Sequence, residues 1–276
     1  FDSSMIATAS DDHTARLWKT DTYACLYTLQ HDHRVWAVAF SKLNRSVVAS
    51  CGADSTCKIW NISNGECLKT LEHNSTVYTG AWSPSNKTQL ATGANDDKVR
   101  IWNTDTSECR ELVGHEDSVI SIAYSQDGIT LVSASADHTC RLWNVANGTE
   151  LRIFRGATAG VFSIVFSPND GTVFASVGND STIRIWHACT GSCIREIIGT
   201  SIAEDTRLDF NMLAYSPDGT ILACDMYNSN NGVWRIGLLH VNTTECVRTI
   251  DIVPDVEPYF VAFRPPIPTE ATSLSS

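Results

Sequence analysis

The chain has 276 residues, of which 43% are hydrophobic and 18% are charged, a composition that is typical of a globular protein and excludes intrinsic disorder. The net charge of −11 and the lack of any run of five Lys or Arg argue against nonspecific binding to nucleic acid or anionic lipid. No apolar run approaches the roughly eighteen residues that a membrane helix needs. The opening FDSSMIATAS contains neither an initiator Met nor a signal sequence, so we take Phe1 as the edge of a fragment.

Tryptophans recur along the chain at steps of 42, 42, 41 and 43 residues: Trp18, Trp60, Trp102, Trp143 and Trp186. Each ends a short alternating or β-branched run: TARLW, TCKIW, KVRIW, TCRLW and TIRIW. Such runs predict strands with one buried face. Further apolar runs precede them, such as VWAVAF and VISIAY, and turn sequences such as SQDG follow. Each period therefore predicts four short strands and no helix, which is the content of one β-propeller blade.

Polar residues recur at fixed distances from these tryptophans. An Asp stands six residues before each: Asp12, Asp54, Asp96, Asp137 and Asp180. A Ser or Thr stands ten residues before each: Thr8, Ser50, Thr92, Ser133 and Ser176. Together these positions resemble the WD-repeat family across roughly residues 5 to 263.

The resemblance implies an all-β WD-repeat propeller. The chain begins at a second strand, MIATAS, and ends after a first-strand sequence, YFVAFRPP, which together would complete one blade. We therefore predict six closed four-stranded blades over residues 1–264, followed by a tail rich in Pro, Ser and Thr over residues 265–276. The alternative is a seven-bladed propeller that is cut short at both ends.

The resemblance also implies a hydrogen-bonded tetrad of His, Asp, Ser or Thr, and Trp in three blades. A buried indole N–H, carboxylate or imidazole each needs a partner, so a structural role is physically sensible. The implied tetrads are His31–Asp54–Ser50–Trp60, His73–Asp96–Thr92–Trp102 and His115–Asp137–Ser133–Trp143.

The fifth and sixth repeats depart from this pattern. Ala157 takes the His position of the fifth, whereas Leu239 and Cys224 take the Trp and Ser/Thr positions of the sixth. The sixth also carries two insertions, AEDTRLD and NSNNG, on the face that holds the tetrad His and Asp. Long loops at one place are often binding loops, although degeneration of a terminal blade is the alternative. The candidate partner-binding residues in these loops are Glu204, Asp205, Arg207, Asn228, Asn230 and Asn231.

A second candidate partner-binding site lies at the mouth of the central channel. The family resemblance places there the residues four before the end of each inner strand: Trp36, Tyr78, Ile120, Phe162, Asn211 and Tyr259. Aromatic rings offer apolar area and π-faces for a cation. With a net charge of −11, the favoured guest is a peptide that inserts Arg or Lys, although Arg34 opposes a cation locally. The alternative is that the rings only cover the ends of neighbouring blades.

No pattern favours catalysis, a metal or a cofactor. A His–Asp–Ser set would suggest a hydrolase, but here it recurs at the same positions in several repeats, as a framework does. The sequences Asp11–Asp12–His13 and Asp137–His138 are better explained as turns than as metal ligands. The Cys spacing favours reduced thiols in a cytoplasmic or nuclear protein.

The sequence thus predicts a non-catalytic scaffold that binds proteins or peptides, without a membrane or direct nucleic-acid contact. A subunit of a chromatin or RNA-processing complex is one alternative. A substrate receptor of a ubiquitin ligase is another, but such receptors carry Arg three residues after the Trp. The residues found there are Asp21, Ser63, Asp105, Ala146 and Cys189.

Overall fold

The computed structural model of the protein describes residues 5–199, 208–228, 232–243 and 245–251. Within these ranges the regular elements are antiparallel strands, arranged in six sheets that follow one another along the chain. In the first five sheets the order of strands equals their order in the sequence, because short turns join each strand to the next. In the sixth sheet, two short strands pair with the same longer strand. The four-strand content predicted for each repeat is therefore confirmed.

The strands divide among the sheets as follows. Blade one contains β1 (Met5–Ala9), β2 (Thr14–Lys19) and β3 (Cys25–Gln30). Blade two contains β4 (Val35–Phe40), β5 (Val47–Gly52), β6 (Thr56–Asn61) and β7 (Cys67–Glu72). Blade three contains β8 (Val77–Trp82), β9 (Gln89–Ala94), β10 (Val99–Asn103) and β11 (Cys109–Leu112). Blade four contains β12 (Val119–Tyr124), β13 (Thr130–Ser135), β14 (Cys140–Asn144) and β15 (Glu150–Phe154). Blade five contains β16 (Val161–Phe166), β17 (Val173–Gly178), β18 (Thr182–His187) and β19 (Cys193–Ile198). Blade six contains β20 (Leu208–Asp209), β21 (Leu213–Tyr215), β22 (Ile221–Asn228), β23 (Val233–His240) and β24 (Cys246–Asp251).

The inner strands of consecutive blades, β4, β8, β12, β16 and β21, lie next to one another, and the protein is a six-bladed β-propeller. The predicted blade number is confirmed. The segment YFVAFRPP, expected to complete blade one, and the predicted tail at 265–276 lie outside the described residues. In the described part of the chain, no helix has the length and apolar character needed to cross a membrane.

The hydrophobic core lies between the blades. Each apolar cluster combines side chains of two consecutive blades, as where Trp60 of blade two packs with Leu17 and Leu29 of blade one. Burying one Leu contributes roughly 1.5–3 kcal/mol, so each blade is stabilised mainly by its neighbours.

Blade six is extended by pairing between its two insertions. Strands β22 and β23 are each eight residues long and continue past the usual turn, where Tyr227 pairs with Trp234. The short strand β20 then pairs with Asn228 and Tyr227. Asn228, which we predicted to be a loop residue, is instead a buried strand residue, because the insertion lengthens the ladder. The other predicted loop residues, Glu204, Asp205, Arg207, Asn230 and Asn231, lie outside the described residues.

Candidate functional site

Directional hydrogen bonds connect four buried side chains in blade two. The Trp60 indole N–H donates to Ser50 Oγ at 2.7 Å, and Ser50 Oγ lies 2.6 Å from His31 Nε2. His31 Nδ1 lies 2.8 Å from the Asp54 carboxylate. Because an indole can only donate and a carboxylate can only accept, Ser50 donates to Nε2 and His31 donates from Nδ1. The predicted His31–Asp54–Ser50–Trp60 set is thus joined end to end.

Blade four repeats this arrangement. Trp143 donates to Ser133 at 2.8 Å, and His115 lies 2.7 Å from both Ser133 Oγ and the Asp137 carboxylate. Burial opposes ionisation of Asp137, but its hydrogen bonds from His115 and Thr139 outweigh this and hold its pKa well below the usual range. The carboxylate is therefore charged and fully engaged, with no capacity left for a substrate.

Blade three departs from the prediction, since Asp96 does not bind His73. The Arg100 guanidinium takes both Asp96 oxygens, at 3.1 and 2.6 Å, and is itself buried. His73 Nδ1 instead donates to the Leu71 carbonyl at 3.1 Å, while Nε2 keeps its contact with Thr92 at 2.9 Å. The predicted four-membered tetrad is wrong here, because the Arg100 guanidinium occupies the Asp96 carboxylate. In blade four the equivalent Arg141 binds Glu150 instead, at 2.5 Å, and leaves Asp137 to His115.

Every tryptophan of the repeat makes the expected bond to the Ser or Thr ten residues earlier. The Nε1–Oγ distances lie between 2.7 and 2.9 Å in the pairs Trp18–Thr8, Trp60–Ser50, Trp102–Thr92, Trp143–Ser133 and Trp186–Ser176. These side chains hold β-hairpins together and are not a candidate active site.

The channel-mouth residues have a structural property in common. The register of β4 and β5 shifts at Trp36, so this residue is left without a partner in the ladder. The same shift occurs at Tyr78, Ile120 and Phe162 in the next three blades. Each residue is therefore the extra residue of a β-bulge, a feature that re-aims a side chain and is common beside functional sites.

The bulged residues differ in what they contact. Trp36 is 38% exposed, and its ring lies 5.9 Å from that of Tyr78, across the boundary between blades two and three. The Tyr78 hydroxyl donates to Asn95 Oδ1 at 3.2 Å. Ile120 and Phe162 are half-buried. The aromatic pair thus covers a blade junction while one of its rings remains open to solvent.

Blade six contributes a polar group to this set. Asn211 lies between β20 and β21, and its side-chain amide donates to the buried Asp225 carboxylate at 3.2 Å. Asp225 also accepts the backbone N–H groups of Asn211 and Met212, each at 2.7 Å, where the inner strand is interrupted. Asn211 is therefore engaged within its own blade. Tyr259 lies outside the described residues.

The charges near the mouth are unevenly distributed. Arg34, two residues before Trp36, lies 3.6 Å from Asp11 in an exposed ion pair. Around Asp97, partial burial and the negative charges of Asp117, Asp96 and Asp137 raise the pKa of its carboxyl group. Negative charge is thus concentrated beside blades three and four, while the local cation is partly offset.

A second repeated contact, absent from the sequence analysis, joins the outer strand of one blade to the turn of the next. A Tyr, Lys or Arg eight or nine residues after each Trp donates to a carbonyl of the following blade. The pairs are Tyr27–Ser63, Lys69–Asp105, Arg110–Ala146, Arg152–Cys189 and Arg195–Asn242. The acceptors lie three residues after the Trp, or after Leu239 in blade six. The donors could have been found by aligning the repeats beyond the Cys position.

Among the residues that the structure describes, no group of three or more His, Cys, Asp or Glu could hold a metal ion. The family model of the WD domain, G-beta repeat, matches residues 1–19, 23–61, 65–103, 106–144 and 148–187. No curated protein matched the chain. Each matched segment ends one residue after one of the five tryptophans, and blade six falls outside these segments. The chain belongs to the WD-repeat family, whose propellers generally serve as protein-interaction scaffolds and are typically non-catalytic.

Proposed function

We propose that this propeller is a non-catalytic scaffold that captures a peptide with an Arg or Lys side chain at the mouth of its channel. The observation that carries the proposal is the β-bulge at Trp36, Tyr78, Ile120 and Phe162. Four consecutive blades release a large side chain from the ladder at the same position. A bulge re-aims a side chain away from the ladder, and here it presents four large side chains at the mouth to a guest.

Charge supports a basic guest. The chain carries a net charge of −11, and the face beside blades three and four concentrates the carboxylates of Asp97 and Asp117. Arg34 forms an ion pair with Asp11, and this reduces the electrostatic repulsion between Arg34 and a cationic guest. The Trp36 ring provides a π-face on which a guanidinium or ammonium group gains roughly 0.5–2 kcal/mol.

The engaged carboxylates favour binding over catalysis. Asp54, Asp96 and Asp137 each have partners within their own blades, so none is available as a general base. Reduced thiols are consistent with the cytoplasmic or nuclear location that we propose: the ten cysteines are all free.

The test is binding of two peptide libraries, each about twelve residues long, with Arg or Lys at the centre in one and Gln in the other. We expect the basic library to yield binders whose affinity falls at least tenfold, about 1.4 kcal/mol, in the double variant Trp36→Ala/Phe162→Ala. The melting temperature should remain that of the parent. Tyr23→Ala is the matched control, because Tyr23 is 81% exposed in the turn between β2 and β3, at the other end of its blade. Undiminished binding by the double variant would overturn the proposal.

A further inference from the structure

We propose that Cys51 and Cys57 form a reversible redox pair that closes to a disulfide with hydrogen peroxide and acts on the backbone that carries Trp36. The two residues lie directly opposite each other on β5 and β6. Their sulfur atoms are 3.1 Å apart, with the Cys51 thiol donating to Cys57 Sγ. Both are buried within the apolar cluster between blades two and three.

The backbone geometry suits a disulfide. Directly opposed residues of antiparallel strands have Cα atoms about 4.5–5.5 Å apart, which lies inside the range of about 4.4–6.8 Å that disulfides adopt. Closing the bond requires the sulfurs to approach by about 1 Å, to about 2.05 Å. The two cysteines can therefore be joined without rearranging the hairpin.

Comparison between blades shows that this pair is particular to blade two. The equivalent opposed positions are Ala9–Ala15, Gly93–Val99, Ala134–Cys140, Val177–Ile183 and Asp225–Ile236. Among the described blades only the second carries two cysteines there.

The neighbouring blade makes room for the thiols. Gly80 of β8 faces Cys51, and a Cβ at Gly80 would lie only 2.7 Å from Cys51 Sγ. The positions equivalent to Gly80 in blades four and five are the buried Ile122 and Ile164. A glycine here lets Cys51 Sγ occupy space that an isoleucine side chain would fill.

The pair is coupled to the mouth through the sheet. The bulge at Trp36 is flanked by Val35, which pairs with Gly52, and by Ala37, which pairs with Cys51 itself. A change in the position of Cys51 therefore acts directly on the backbone on which Trp36 is mounted. This part of the inference concerns the site under proposed function, but closure of the disulfide does not depend on peptide binding.

Hydrogen peroxide supplies the two-electron oxidation. Cys57 Sγ accepts the hydrogen bond of the Cys51 thiol, so we assign the first attack to Cys57. As its thiolate it attacks one oxygen of hydrogen peroxide, the O–O bond breaks, and the departing hydroxide takes up the released proton as water. Cys51 sulfur then attacks the sulfenic sulfur of Cys57, the S–O bond breaks, and a second water leaves with the Cys51 proton. The thiols lose two electrons and the peroxide gains them; a dithiol reductant reverses the result. Since both thiols are buried, the oxidant reaches them through local opening of the hairpin.

The experiment treats the folded chain with hydrogen peroxide, then alkylates the free thiols and maps the peptides by mass spectrometry. We expect a linked Cys51–Cys57 peptide that is lighter by two hydrogen atoms and that disappears with dithiothreitol. Hydrogen–deuterium exchange of the peptide over Val35–Phe40 should slow at least about threefold in the oxidised protein, because a cross-strand bond suppresses local opening.

Two variants keep the proposal falsifiable. Cys57→Ala should abolish both the link and the change in exchange. Cys140→Ala is the matched control, because Cys140 is a buried cysteine at the same position of blade four, opposite Ala134, and its loss should leave both effects intact. A link that forms only in the urea-unfolded chain would overturn the proposal, as would unchanged exchange at Val35–Phe40 after the link has formed. Failure of peptide binding alone would leave this result untouched.

Discussion

At the scale of single residues, the framework depends on matching each donor to an acceptor. In blades two and four the hydrogen bonds run from indole to hydroxyl to imidazole to carboxylate, and each group has one defined role. Removing one of these side chains leaves its neighbour buried without a hydrogen-bond partner, which lowers the free energy of unfolding by roughly 1–3 kcal/mol. In blade three Arg100 takes the carboxylate, and His73 must remain neutral beside a buried cation.

This difference predicts how blade three responds to acid. Burial, reinforced by the charge of Arg100, lowers the pKa of His73 from 6.5 to about 4. A histidine with a depressed folded-state pKa stabilises the fold above the unfolded value, and this contribution is lost as pH falls from 6.5 towards about 4. The loss approaches about 1.4 kcal/mol per pH unit within that window.

The measurement is urea unfolding of the parent and of His73→Gln between pH 7 and about pH 4.5. The variant should be less stable at pH 7, because it loses the hydrogen bond between the imidazole of His73 and the Thr92 hydroxyl. Its free energy of unfolding should fall less steeply with acid than that of the parent. Parallel curves for the two proteins would contradict the assignment of a buried, neutral His73.

At the scale of strands and turns, a glycine lies under the donor side chain in three of the contacts between consecutive blades. In the turn that Lys69 reaches, Ser107 takes this position, also at positive φ. The turn between β18 and β19 contains Gly191 at φ +80°, and a Cβ there would lie 2.8 Å from Cδ of Arg152. Arg152 passes over this glycine to reach the Cys189 carbonyl at 2.8 Å. The equivalent turns place Gly65 against Tyr27 and Gly148 against Arg110 in the same way.

Gly191→Ala should therefore destabilise the protein by about 1–2 kcal/mol, because an alanine is strained at positive φ and displaces Arg152. Gly171→Ala is the control, since no atom lies within 4 Å of a Cβ at that position. Chemical denaturation of both variants would show the difference. Equal stability of the two would mean that the turn at Gly191 adapts without cost.

At the scale of the whole molecule, the propeller is asymmetric. Blades two to five present bulged residues at the mouth, whereas blade six has an interrupted inner strand held by Asp225 and an extended hairpin. Blades two to five pack without such an extension, so the longer β22–β23 hairpin makes the face of blade six different from that of the other blades. The overall charge of −11 acts on any guest that approaches this face.

Long-range charge makes peptide capture sensitive to salt. Affinity for an Arg-centred peptide from the basic library should fall about tenfold between roughly 0.05 M and 0.5 M NaCl, mainly through slower association. Charge-neutral peptides with central Gln should show little dependence. Fluorescence anisotropy over a salt series measures both. If affinity did not depend on salt, the prediction would be wrong, and binding would come from the aromatic rings and not from the electrostatic field.

The repeat spacing by itself determined the blades and their internal bonds. A Trp and a Ser ten residues apart on two strands of one hairpin are brought together by local register, so Trp60 and Ser50 meet as predicted. Spacing also assigned Leu239 and Cys224 correctly to the Trp and Ser/Thr positions of blade six. The insertion adds residue pairs only between these positions and the turn, so the register of β22 with β23 at Leu239 and Cys224 is unchanged.

Only the tertiary structure decided which competing partners meet. Whether Asp96 binds His73 or Arg100 depends on guanidinium geometry that no spacing reveals. The bulge at Trp36 and the pairing of the two blade-six insertions likewise follow from how the strands pair. The repeat period specifies contacts within one hairpin, because the short chain between the two residues sets their distance. Where a side chain has two possible partners of similar energy, the packing around it decides which of them it binds.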